Sequence, residues 1–350
     1  MSKKNISYVG EKVSIGIDVH RDFFVISAVY KGALLKRSRI ASTGEAVLGF
    51  IRGHFPETEI QSCYEAGFSG FWLHRYLVKS GIDNIVVNPA SIEVEANNRI
   101  KTDKRDSLKM ALQLDANRLR GICIPSEEQE RRRLLHRTRE QLMRAQNRAR
   151  IQIRMKLHQF GLFPRGLRSV LTSQLAKDLI EGVQITELRI VLEALYSQWQ
   201  NLRLELRKLE KELLRQGEED EFDPIYRSVV GIGVLIARVL SNELGDMSQF
   251  ANEKELFSYT GLTPCEYSSG ESIRRGHITR QGNSRLRYVL VEAAWRAIRK
   301  DVGLRAGFER IAKRRGKKIA IVAVARKLVG RIRAVLKARG RYELEHNKAA

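Results

Sequence analysis

The chain has 350 residues, 43% of them hydrophobic, with 63 Lys or Arg against 40 Asp or Glu. A formal net charge of +23 points to a polyanionic partner, most often nucleic acid. Three cysteines without metal-ligand spacing argue against a disulfide scaffold or zinc cluster. The longest late apolar run, 319–325, is too short to span a bilayer, and no apolar core follows the first lysines, so a cytoplasmic protein without a membrane partner is expected.

In chain order, residues 13–19, 23–30 and 34–41 read as strands, joined by gaps short enough for antiparallel hairpins. Residues 44–54 read as a helix, 59–65 as a strand, 70–79 as a helix, 84–87 as a strand and 104–118 as a helix. Three early strands followed by alternating helix and strand is the order of an RNase H-like sheet. Four acids punctuate this region. Asp18 follows Ile15-Gly16-Ile17 in an apolar strand, where an unpaired charge is costly. Glu65 ends a second apolar run, and Asp103 and Asp106 lie nearly one helical turn apart. An acid in a strand or helix is most often a solvated surface group. Four that converge repel one another unless cations neutralise them, and a hard ion such as Mg²⁺, or Mn²⁺, suits oxygen ligands. Lys101 beside the acid pair fits either a phosphate contact or an exposed helix face.

The middle of the chain is helical. Residues 127–160 form a strongly arginine-rich pattern. After a break at 161–166, Leu188, Leu192, Leu195, Trp199, Leu202, Leu206, Leu209 and Leu213 recur at alternating steps of four and three. Such a seam predicts a coiled coil. It is satisfied either by a hairpin within the subunit or by an arm that also joins subunits, and the second is the expectation. The acidic patch at 218–221 reads as a linker.

From 223 onward the chain is mainly helical. Gly231-Ile232-Gly233 opens an amphipathic helix, as in a turn whose amides face a phosphate, although an ordinary helix turn reads the same way. Short helices are predicted at 253–259, 286–299, 303–314 and 318–336, the last two as a phosphate-facing surface. Between 271 and 341 there are 22 Lys or Arg and 4 Asp or Glu, so most of the excess charge lies here. Just before it, Ser268-Ser269-Gly270 stands close to Arg274, Arg275, Arg280, Arg285 and Arg287. By itself the serine pair is a turn. Arginines at such spacing are able to cradle a phosphate, and Gly282-Asn283-Ser284 reads as a turn or helix N-cap.

Taken together, these pieces resemble a known family. Ile15-Gly16-Ile17-Asp18, Tyr64-Glu65-Ala66, Val87-Asn88-Pro89 and Lys101-Thr102-Asp103-Lys104-Arg105-Asp106 stand near the N-terminus. Gly231-Ile232-Gly233, Gly261-Leu262-Thr263-Pro264, Ser269-Gly270 and Ile278-Thr279-Arg280-Gln281-Gly282-Asn283 follow in order. The chain resembles insertion-sequence transposases with an N-terminal DEDD, RuvC-like domain and a C-terminal serine domain. Bridge-RNA-guided recombinases belong to that group, and Piv-type DNA invertases are relatives.

The resemblance implies a RuvC-like domain over 1–122, a coiled-coil arm over 123–222 and a serine transposase domain over 223–350. It implies that Asp18, Glu65, Asp103 and Asp106 are catalytic and hold Mg²⁺, and that Ser269, or its neighbour Ser268, is a nucleophile forming a transient phosphoserine bond to DNA. The metal domain of one subunit would complete a site with the serine domain of another, in a dimer or a tetramer on DNA. DNA and a structured guide RNA are the implied partners. Two alternatives stand beside it: a protein-guided invertase, and a metal-dependent junction resolvase or nuclease that uses water.

Overall fold

Strand β1 (Lys12–Val19) sends its side chains alternately to two faces, and each face acquires its own helices. The computed structural model describes residues 8–93, 103–164, 166, 170–266 and 275–344. Two compact units divide the chain, Met1–Ile124 and Pro125–Ala350. The first is mixed α/β and the second mostly helical.

In the first unit β1, β2 (Phe23–Tyr30) and β3 (Ala33–Ala41) form consecutive antiparallel hairpins. Helix α1 (Gly44–His54) then carries the chain to β4 (Glu59–Glu65), which pairs parallel to β1. Helix α2 (Trp72–Lys79) leads to β5 (Asp83–Val87), parallel to β4. The sheet order is β3-β2-β1-β4-β5. The expected strands and helices are found with ends shifted by at most a few residues, because tight turns and caps fix them locally. Thr43, for example, accepts from the Ala46 amide at 3.2 Å and starts α1.

Val13, Ile15 and Ile17 share a core with Val47, Ile51, Leu73 and Leu77. On the opposite face, Cys63 and Val87 pack with Met110 and Leu114 of α3 (Asp103–Asp115). Gly16 lies on that second face. A Cβ there would come within 2.2 Å of the Ser107 carbonyl oxygen and 2.6 Å of the Ala111 nitrogen. Only glycine lets α3 lie this close to β1.

In the second unit α4 (Glu127–Gln159) and α6 (Thr186–Glu218) pack as an antiparallel hairpin, with α5 (Ser173–Glu181) between them in sequence. Arg139 donates to Glu210 at 2.8 Å toward one end, and Ile153 and Leu157 cluster with Leu188 and Leu192 toward the other. The heptad seam is therefore used within the chain: Leu192, Trp199, Leu206 and Leu213 are buried, while Leu195, Leu202 and Leu209 are half-buried. The leucine periodicity was equally compatible with a second subunit; the α4 partner supplied by the same chain takes most of it.

At the end of α6 the acidic patch divides: Glu218, Glu219 and Glu221 are exposed, and the fourth acid turns inward. Asp220 is buried, receives Arg238 at 2.8 Å and the Ser241 hydroxyl, and is held below the usual carboxylate range because these bonds outweigh its burial. Arg238, fully buried on α8 (Val234–Leu244), also pairs with Asp223 of α7 (Asp223–Ser228).

Helix α12 (Lys317–Lys337) is two-sided: Ala320, Ile321, Val324, Ala325, Leu328, Val329, Ile332 and Leu336 bury one face in the main core of the unit, while Lys317, Lys318, Lys327 and Lys337 stay exposed. Its Arg333 is turned inward to the Phe250 and Ala251 carbonyls. Its neighbour α11 (Val302–Arg315) buries only Leu304. Gly231, at φ +92°, lets its turn approach α10 (Ser284–Ala297), where a Cβ would meet the Ala293 oxygen at 2.4 Å. Packing thus explains the first glycine of Gly231-Ile232-Gly233. Among the described residues no helix is long and apolar enough to cross a membrane.

Candidate metal site and serine hairpin

Alternation along β1 puts Ser14, Gly16 and Asp18 on the face covered by α3. Ser14 is tied there by Asp115 at 3.0 Å, and Ser27 meets Ser107 at 2.9 Å. Because α3 starts at Asp103, its first turn arrives beside Asp18. Acids in that turn are favoured by the helix dipole.

Burial pushes the Asp18 carboxyl above its ordinary value; the adjacent His20 opposes this, and the charges of Asp103 and Asp106 add to it. His20 Nε2 lies 3.2 Å from Asp18 Oδ2 and 3.4 Å from Asp103 Oδ2. Among the described residues, Asp18, His20 and Asp103 form a group whose ligand atoms all lie within 4.8 Å of one another. Asp106 is slightly apart and takes Lys109 Nζ at 3.4 Å. Glu65 ends β4. Ile17 pairs with Tyr64, so Asp18 and Glu65 each stand one residue past the last paired positions, on the face that Gly16 and Cys63 share. Glu65 is exposed and is not part of the tight group.

The sequence singled out the four acids but not His20. Its signal was available: two residues after Asp18, the period of a strand returns the side chain to the same face. A set of carboxylates with one imidazole, in which burial first and then the charges of Asp103 and Asp106 raise Asp18, fits a divalent cation.

The strands on either side of the serine segment in sequence, β6 (Pro264–Glu266) and β7 (Arg275–Ile278), pair antiparallel, with Glu266 opposite Arg275. Ser268, Ser269 and Arg274 fall outside the described residues, as does Lys101; so does the Arg275 side chain. The frame of the hairpin is built by two glycines. A Cβ on Gly261 (φ +66°) would strike the Gln281 oxygen at 2.1 Å, and one on Gly282 (φ +95°) the Tyr259 oxygen at 2.4 Å. Asn283 caps α10, its side chain accepting from the Arg285 and Leu286 amides at 3.0 and 3.2 Å.

The arginines divide. Arg280 is exposed at φ +57°. Arg285 lies 2.6 Å from Glu140 of α4, and Arg287 donates to the Thr260 carbonyl at 3.1 Å. Burial, then the nearby Arg280, lowers Arg287. Arg285 and Arg287 thus have partners inside the protein, where the sequence offered them as phosphate contacts.

Residues 15–162 match the DEDD transposase domain of the IS110 family, and residues 224–309 match a family described as Transposase IS116/IS110/IS902 family. The transposase-related protein y4rJ of Sinorhizobium fredii is 30% identical over 85% of this chain and 79% of its own length. This chain belongs to the IS110 family of transposases. It is an enzyme that cuts and rejoins DNA, and its DEDD domain implies dependence on a divalent metal. The transposase for insertion sequence element IS1533 of Leptospira borgpetersenii is 28% identical over 90% of this chain and 93% of its own length. A further relative, y4qE of S. fredii, is 29% identical over 67% of this chain, which spans 57% of that protein's length.

One feature of the transposase had no sequence signal. Glu243 of α8, fully buried, receives His136 Nε2 at 2.9 Å, Arg137 Nε and Nη2 at 2.8 and 2.9 Å, and Asn283 Nδ2 at 3.0 Å. Arg133 donates to its carbonyl at 2.9 Å. Burial alone would raise this carboxyl, but the His136 and Arg137 bonds and charges outweigh it and hold it well below the usual range. The arginine face of α4 is in part an internal clamp on the α8–α10 corner.

Proposed function

We propose that this IS110-family transposase recombines DNA through a covalent serine intermediate, with Mg²⁺, or Mn²⁺, held by Asp18, Glu65, Asp103 and Asp106. The observation that carries the reading is the approach of Asp103 and Asp106 to Asp18 at the end of β1, on the face and at the end where β4 delivers Glu65. An ion bound there would supply Lewis-acid stabilisation of charge on a phosphate. The acids themselves hold and orient it, and Asp18, partly withdrawn from water, makes the site unfavourable without a cation.

Ser269 is assigned as the nucleophile. Its oxygen forms a bond to phosphorus as a bond from phosphorus to a sugar oxygen breaks, and the serine proton passes to the leaving oxygen. The phosphodiester energy is kept in the serine ester, so an incoming sugar hydroxyl reverses the step without ATP. Arg280, exposed beside the hairpin, is a candidate contact for the DNA phosphates, with Arg274, Arg275 and Lys101 as further candidates. The RNase H-like, specifically RuvC-like, assignment of the first unit is supported by the β3-β2-β1-β4-β5 order with acids at one sheet end. A guide RNA and a homo-oligomer complete the proposal.

The test uses DNA carrying the element's ends, full-length protein and Mg²⁺, with adducts resolved under denaturing conditions. Wild type should give a protein–DNA adduct and joined product. Ser269→Ala should abolish both while DNA binding persists, and Asp18→Ala or chelation should abolish cleavage. An adduct from Ser269→Ala would move the nucleophile elsewhere, Ser268 first. Cleavage at normal rates in EDTA would overturn the metal role. Cleavage without any adduct would favour the junction resolvase. Purification without nuclease, followed by sequencing of bound RNA, separates an RNA-guided recombinase, with one discrete species, from a protein-guided invertase.

A further inference from the structure

His20 follows the end of β1, in the turn that leads to β2. Its backbone amide donates to the Phe23 carbonyl at 3.1 Å, which closes the turn over Arg21 and Asp22. The imidazole rests on Phe23 with ring centroids 4.8 Å apart, and the Arg39 guanidinium of β3 lies over the same Phe23 ring, 3.6 Å from its centroid. The ring is therefore seated, and fixing a side chain costs rotamer entropy that a merely solvated histidine need not lose. From this seat Nε2 reaches both Asp18 and Asp103, at 3.2 and 3.4 Å. An octahedral ion with bonds of about 2.1 Å keeps adjacent ligand atoms about 3.0 Å apart. Both distances from Nε2 are close to that spacing, and all three ligand atoms lie within 4.8 Å of one another.

We infer that His20 supplies a nitrogen ligand to the ion held by Asp18 and Asp103. The inference rests on the metal-dependent reading proposed above and adds a residue outside the set of four acids. Its consequence is selectivity. Oxygen ligands alone suit Mg²⁺, whereas imidazole favours Mn²⁺ and later first-row ions over Mg²⁺. A site with one imidazole among carboxylates should bind Mn²⁺ more tightly than Mg²⁺ by a margin that depends on His20.

The experiment loads the full-length protein with Mn²⁺ and records pulsed EPR of wild type, of wild type carrying ¹⁵N-histidine, and of the His20→Asn and His20→Gln variants. His20 is partly exposed in a turn, so the variants should keep the wild-type thermal melt, and the second guards against a fault in the first. Wild type is expected to show coupling to a directly bound histidine nitrogen that changes isotope on labelling and is missing from both variants. Mn²⁺ affinity should fall about tenfold or more in the variants, with a smaller change for Mg²⁺. Mn²⁺ bound without histidine coupling, or with the same coupling in both variants, overturns the inference and leaves the metal reading standing. Failure of wild type to bind Mn²⁺ at all, with Asp18→Asn behaving identically, overturns the metal reading itself.

Discussion

Replacing Glu243 by glutamine is the sharpest perturbation the structure offers. The carboxylate accepts four side-chain hydrogen bonds, two of them from Arg137. Glutamine keeps the shape and one acceptor oxygen. Its NH₂ must then face donors, either Arg137 Nη2 and Asn283 Nδ2 or Arg137 Nε and His136 Nε2. At least two bonds are lost, and a bond to a charged group contributes about 1.5–3 kcal/mol. Arg137 loses its counter-charge, and breaking a buried pair costs about 3–5 kcal/mol, toward the lower end here because Arg137 keeps some contact with water. Against a usual domain stability of about 5–15 kcal/mol, that is a large fraction.

The chain has three tryptophans, and Trp199 and Trp295 lie in the second unit. Urea unfolding followed by fluorescence in a Trp72→Phe background therefore reports this unit alone. A loss below about 1 kcal/mol, the level of an exposed pair, would refute the claim that the knot is desolvated. The pH dependence gives a second reading of the same cause. Unfolded, the carboxyl titrates near 4.5; folded, it lies lower. Its contribution is whole above the unfolded value and is lost as pH falls through the folded one. Glu243→Gln should flatten the acid limb of the stability curve.

Further outcomes follow from the same geometry. Gly16→Ala would place a Cβ within 2.2 Å of backbone on α3; it should lower the melting temperature of the first unit and weaken Mn²⁺ binding, since Asp103 and Asp106 ride on that helix. Gly49→Ala, on the exposed side of α1 with nothing near its Cβ position, should instead stabilise by about 1 kcal/mol in the same melt. Gly282→Ala, strained at φ +95° and blocked by the Tyr259 oxygen, should impair DNA joining more than DNA binding, measured side by side. Arg280→Ala should weaken DNA binding and reduce its salt slope by about one. Arg285→Ala, which breaks the pair with Glu140, should instead lower stability of the second unit with a smaller change in that slope.

The sequence by itself determined the local elements of this protein and the positions of its acids. β2 and β4, with α1 between β3 and β4, begin and end as their residue patterns dictate, because turn chemistry, capping and side-chain alternation act over a few residues. An acid after Ile15-Gly16-Ile17 was conspicuous for the same local reason. Tertiary structure decided what those residues meet. It put His20 between Asp18 and Asp103, whose positions are more than 80 residues apart. It closed the leucine seam of α6 on α4, although the same periodicity would have served another subunit. It turned Arg133, Arg137 and Arg285, indistinguishable in sequence from solvated arginines, toward Glu243 and Glu140. It also buried one face of α12 and folded Asp220 against Arg238. A charge run states that charges are present. Whether they face water, DNA or a buried carboxylate depends on contacts between residues far apart in the chain, and one-dimensional periodicity carries no term for those.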